Sequence, residues 1–84
     1  MAELFKTPAE LDKFVRETAK ILEKAGLPDA GRELEDIQST AWTTSSEWLG
    51  ELGLAVARVK AHDLPDEVIP RLRRIHKAAS AAWR

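Results

Sequence analysis

The sequence predicts an all-α fold, a small up-and-down bundle of four helices. Three observations carry that expectation. Apolar residues recur at three- and four-residue spacing through most of the chain. Helix-start and helix-stop signals punctuate it clearly. The segment Ser45 to Ala61 is apolar on two sides, as a helix covered by neighbours would be.

The first helix starts at Thr7-Pro8-Ala9-Glu10, which reads as an N-cap, a proline at the first helical position and a capping-box glutamate. Leu11, Phe14, Val15, Thr18, Ile21, Leu22 and Ala25 follow on one face, with Asp12, Lys13, Arg16, Glu17, Lys20, Glu23 and Lys24 opposite. Gly26 closes it as a left-handed cap and Pro28 blocks continuation. The second helix starts near Pro28-Asp29 and carries Ala30, Leu34, Ile37 and Ala41 on a narrow stripe. The hydroxyl-rich run from Thr40 to Ser46 competes for backbone hydrogen bonds and reads as a break, with Thr44 and Glu47 as the next capping box.

Wound at about 100° per residue, the third helix sets Trp48, Leu49, Leu52, Ala55, Val56 and Val59 on one broad face. Its far side carries Ser46, Gly50, Gly53, Ala57 and Ala61, a strip of small residues with Leu54 beside it. Charge is confined to the margins, at Glu47, Glu51, Arg58 and Lys60. A glycine inside a helix costs about 1 kcal/mol against alanine, and close approach of another backbone would offset that. The third helix is therefore expected to be central, or to line the axis of a homodimer. His62-Asp63-Leu64-Pro65 closes it and opens a fourth helix running to about Trp83, with Val68, Leu72, Ile75, Ala79 and Trp83 as its core stripe. Pro70 falls in the first turn or bends that helix slightly.

One alternative architecture stays open. Leu34, Ile37, Ala41, Ser45, Trp48, Leu52, Val56 and Val59 continue in near-heptad spacing through the break. Residues 29–61 would then form one central rod of about 50 Å at 1.5 Å per residue, giving three helices and a surface that a second copy would cover.

Composition narrows the function classes. The 84 residues are expected to form a single helical domain, 1–84, with one modest core. Apolar residues at 44% are too frequent for disorder. The absence of cysteine removes disulfides and thiolate metal sites. No basic, apolar leader opens the chain and no long apolar run interrupts it, so a cytoplasmic protein without membrane association is expected.

Charge is unevenly distributed. Residues 1–67 hold eight basic and fourteen acidic side chains, whereas Arg71, Arg73, Arg74, Lys77 and Arg84 follow with no acid among them. A nucleic-acid-binding helix using Arg73, Arg74 and Lys77 is one reading, because clustered cations release counterions from phosphates. The other is a solvated face that complements Glu33, Glu35 and Asp36 on a neighbouring helix. The bases lie away from the core stripe and suit a helix C-terminus, which favours the second reading.

Catalytic constellations are thin. The two histidines, His62 and His76, form no helical metal pair. The run Thr43, Thr44, Ser45 and Ser46 lacks a nucleophile elbow and is better explained by capping. Glu33, Asp36, Glu47 and Glu51 resemble fragments of the E-x-x-E and E-x-x-D sets with which helical nucleotide pyrophosphatases hold Mg²⁺. Solvated helix faces account for them more simply, and a Mg²⁺-dependent hydrolase is the weakest reading. No catalytic residue, metal ligand or cofactor is expected.

Trp48 and Trp83 lie on core stripes. Trp42 falls outside the stripe of its helix, and is either tucked under the turn or exposed as an interface anchor. The leading expectation is a non-enzymatic protein-interaction or regulatory module, of an adaptor, antitoxin or immunity type. Its partner is another protein or a second copy of itself, bound through Trp42, Ser46, Gly50, Gly53, Ala57 and Ala61.

Overall fold

The computed structural model describes Phe5, residues 7–40, Trp42, residues 44–60 and residues 64–81, with the side chains of Ser45, Ser46 and Ala81 outside the description. Among these residues the chain forms α1 (Pro8–Lys24), α2 (Pro28–Ser39), α3 (Ser45–Val59) and α4 (Ile69–Ala81), and no strand.

The ends of α1 follow the local chemistry. Thr7 is extended and its hydroxyl accepts from the Glu10 backbone N–H at 3.2 Å, while Pro8 takes the first helical position. Gly26 adopts φ +88°, which an L side chain rarely tolerates. Its N–H donates to the Glu23 carbonyl, and the Leu27 N–H donates to the Leu22 carbonyl at 2.9 Å. This pair of bonds is a Schellman ending, which satisfies the last carbonyls and turns the chain directly into α2.

Between α2 and α3 the helix breaks, so four helices replace the alternative single rod over 29–61. Thr40 leaves α2 with ψ 138°, and its hydroxyl donates to the Asp36 carbonyl at 2.7 Å. The Trp42 indole N–H donates to the Ile37 carbonyl at 2.8 Å. Thr44 then starts α3 as an extended N-cap whose hydroxyl accepts from the Glu47 N–H at 3.2 Å. Side chains thus satisfy the backbone groups that a continuous helix would have paired.

The fourth helix starts later than the sequence reading placed it. Residues 66–68 form a turn, with the Val68 N–H donating to the Pro65 carbonyl, and α4 begins at Ile69. Pro70 is its second residue, where a missing N–H costs nothing. Ala61, His62 and Trp83 lie outside the described residues.

Packing is sequential and closed. Each of α2, α3 and α4 packs on its predecessor, and α4 returns onto α1; among the described residues the backbones of no diagonal pair come together. Directions follow from side-chain pairs. Gly31 lies against Ala19 and Glu23 while Gln38 meets Asp12, which makes α1 and α2 antiparallel. Glu33 pairs with Arg58 and Gln38 with Trp48, so α3 runs against α2. Arg71 reaches Thr18 and Arg74 reaches Phe5, so α4 runs against α1. The arrangement is up-down-up-down. The expectation that α3 is central is corrected, since α3 has two helical neighbours, as does every helix of the ring.

The core draws Leu11, Val15, Ala19 and Leu22 from α1, and Ala30, Leu34 and Ile37 from α2. Leu52, Ala55, Val56 and Val59 join from α3, and Val68, Leu72, Ile75 and Ala79 from the last part of the chain. The polar residue buried with them is Thr18, whose hydroxyl donates to the Phe14 carbonyl at 2.8 Å and accepts from Arg71 Nε at 2.9 Å. Both halves of the hydroxyl are used, as a buried polar group requires. No described helix is long and apolar enough to cross a membrane.

Candidate interaction surface

The helical period turns Leu52, Ala55, Val56 and Val59 of α3 into the core, so Leu54 must face outward, and it is 54% exposed. It stands in an open groove of about 700 Å³ that runs along α3 toward α4. Gly50, Gly53, Leu54 and Ala57 line it, with Trp42, Glu47, Glu51 and His76 also on its wall. The groove is wide because the residues beside Leu54 are small.

This placement revises the expected role of the small-residue strip. Another helix backbone does not press on it throughout. Ala57 is exposed, and a Cβ at Gly53 would meet only the Ala79 side chain, at the ordinary contact distance of 3.7 Å. The tight backbone crossing lies elsewhere, between α1 and α2. A Cβ at Gly31 would sit 2.6 Å from the Ala19 carbonyl oxygen and 2.8 Å from Glu23 Cγ. Gly31 carried a readable signal, a helical glycine next to the apolar stripe of Ala30 and Leu34, which the sequence reading passed over. Of the remaining strip residues, Gly50 lines the groove, Ser46 lies in α3 with its side chain undescribed, and Ala61 lies outside the described residues.

Trp42 is half-buried, with its ring packed on the core and its N–H spent on the Ile37 carbonyl. It therefore seals the break between α2 and α3 and lends one edge to the groove. Trp48 is also half-buried, and its N–H donates to Gln38 Oε1 at 2.9 Å. Gln38 Nε2 donates in turn to Asp12 Oδ1 at 2.6 Å, and Arg16 holds Asp12 through Nε at 3.2 Å and the Gln38 carbonyl through Nη2 at 3.0 Å. These four side chains tie α1, α2 and α3 together on one side of the bundle. Sequence periodicity gave no sign of this network.

The basic helix is engaged with α1. The Arg71 guanidinium lies 4.1 Å from the Phe14 ring centroid, and Arg74 lies 4.5 Å from Phe5 and 5.0 Å from Phe14. Phe5 and Phe14 are themselves tilted against each other at 5.2 Å. Arg71 also bridges to Glu17 at 3.4 Å. Cation–π stacking thus engages Arg71 and Arg74, although Arg74 stays exposed together with Arg73 and Lys77. The expected partnership with Glu33, Glu35 and Asp36 is corrected: α4 does not touch α2, and Glu33 pairs with Arg58 of α3.

The four candidate carboxylates are not brought together. Glu33 and Asp36 line a separate open groove of about 390 Å³ on α2, with Asp29, Arg32, Ile37, Thr40 and Trp42. Glu47 and Glu51 line the groove on α3. Among the described residues no cluster of three or more carboxylates or histidines has metal-binding geometry. Comparison with protein families, curated proteins and solved structures yielded no match.

Proposed function

We propose that this chain is a non-enzymatic protein-interaction module that docks a polypeptide in the groove along α3. The observation that carries the reading is the outward Leu54, held in an open channel floored by Gly50, Gly53 and Ala57. An exposed apolar anchor with small neighbours and a charged rim is the composition of an interface centre and its edge. Folding does not account for it, because the core is filled by the opposite face of the same helix. Glu47 and Glu51 on the rim supply charge for orientation rather than chemistry.

The test is a photo-reactive phenylalanine analogue in place of Leu54, irradiated in the cells that make the protein. One stoichiometric polypeptide adduct, lost on adding Ala57→Glu, is the expected result. An unadducted chain with native helicity would overturn the reading.

A further inference from the structure

We propose that the occupant of the groove is a second copy of this chain, docked antiparallel about a twofold axis that passes beside Leu54. This inference rests on reading the groove as an interaction surface, and it adds the partner and its orientation. The argument comes from the order of charges along the outward face of α3. Glu47 and Glu51 precede Leu54, and Arg58 follows it. At about 100° per residue all three lie on the side of Leu54 that faces α2, where Arg58 meets Glu33. Gly50, Gly53 and Ala57 lie on the other side, toward α4, where Gly53 neighbours Ala79.

A parallel twofold pair would set the charged side of each helix against the small residues of the other, leaving its glutamates and arginine without partners. A twofold antiparallel pair keeps like sides together and reverses the order. At 1.5 Å per residue, Glu51 lies about 4.5 Å before Leu54 and Arg58 about 6 Å after it. The twofold therefore brings Glu51 of each copy level with Arg58 of the other, on the same flank, and makes two ion pairs from one. Arg58 is prepared for this contact. Its Nε donates to Glu33, which holds the guanidinium at the edge of α3, and its side chain stays 55% exposed. On the opposite flank the small residues of the two copies meet, so the helix axes approach closely and the two Leu54 side chains pack against each other beside the axis. The surface is self-complementary, as an isologous interface requires.

The sequence contains no cysteine, so a single introduced thiol is an unambiguous reporter. Leu54→Cys should cross-link to its own copy on mild oxidation at least about tenfold faster than Lys20→Cys, an exposed control on α1. In sedimentation, Glu51→Arg should weaken self-association by roughly tenfold or more, and Glu51→Arg with Arg58→Glu should recover most of that loss. Glu51 is exposed, and circular dichroism of each variant confirms that its fold is intact. A wild-type chain that stays monomeric at millimolar concentration, or a Glu51→Arg variant that associates as tightly as wild type, would overturn the proposal. If the chain is monomeric while a photo-reactive group at position 54 captures a different polypeptide, self-pairing falls and the interaction-module reading stands.

Discussion

The side-chain amide of Gln38 donates to the Asp12 carboxylate at 2.6 Å, and its oxygen accepts the Trp48 indole N–H. The amide orientation is fixed by its partners, because a carboxylate only accepts and an indole N–H only donates. One side chain on α2 thereby sets the lateral register of α1 and α3. Gln38→Leu leaves the indole N–H without its partner and takes one of two donors from Asp12 Oδ1, which keeps Arg16, a loss of about 1–3 kcal/mol. Chemical denaturation should show the loss, and Asp12→Asn combined with Gln38→Leu should cost less than the sum of the single changes.

Gly31→Ala should destabilise the chain more than Gly53→Ala. The added methyl meets the Ala19 carbonyl oxygen at 2.6 Å, and that atom belongs to a helix backbone that cannot yield locally. Separating α1 from α2 costs about 1–3 kcal/mol. Gly53→Ala, with 3.7 Å to Ala79, should be neutral or stabilising by up to about 1 kcal/mol, because alanine favours the helix. Thermal melts should therefore show a lower midpoint for Gly31→Ala and an unchanged or higher one for Gly53→Ala.

Thr44→Ala removes the N-cap of α3 and should cost about 1 kcal/mol, whereas Thr44→Asp should preserve stability. The comparison tests whether the break between α2 and α3 is held by side-chain capping. Equal melting temperatures for the alanine variant and the wild type would refute that role.

Arg71→Lys should destabilise by about 1–2 kcal/mol although the charge is kept. Lysine cannot reproduce the planar stack on Phe14 together with the Nε–H bond to Thr18. Arg73→Gln, at an exposed position on the same helix, should change the stability by less than about 0.5 kcal/mol. A like response from both would mean that Arg71 contributes charge alone.

Much of the bundle was legible in the sequence because its helix ends are written in short-range chemistry. Thr7 with Pro8, Gly26 with Pro28, and Thr44 with Glu47 each act within a few residues, so a linear reading finds them. The start of α4 was misplaced because Leu64-Pro65 and Ile69-Pro70 are both acceptable helix-start idioms, and choosing between them depends on the turn over residues 66–68. The central position given to α3 failed for a related reason. Residues apolar on two sides of a helix indicate that both sides prefer cover, and do not say whether the same chain supplies it. Leu54 and Ala57 are the residues whose cover this chain does not supply. The Arg71–Thr18–Phe14 and Gln38–Asp12–Trp48 groups join residues far apart in sequence, and periodicity carries no information about such pairs.

Two of the three tryptophans address the same carbonyl end of α2, Trp42 through the Ile37 backbone and Trp48 through the Gln38 side chain. The chain therefore carries its own optical gauge at the hinge between its two helical hairpins. In a Trp83→Phe background, emission should shift to longer wavelength as soon as the second hairpin lifts from the first, before helicity is lost. Partial opening of the bundle would then be measurable without any added label.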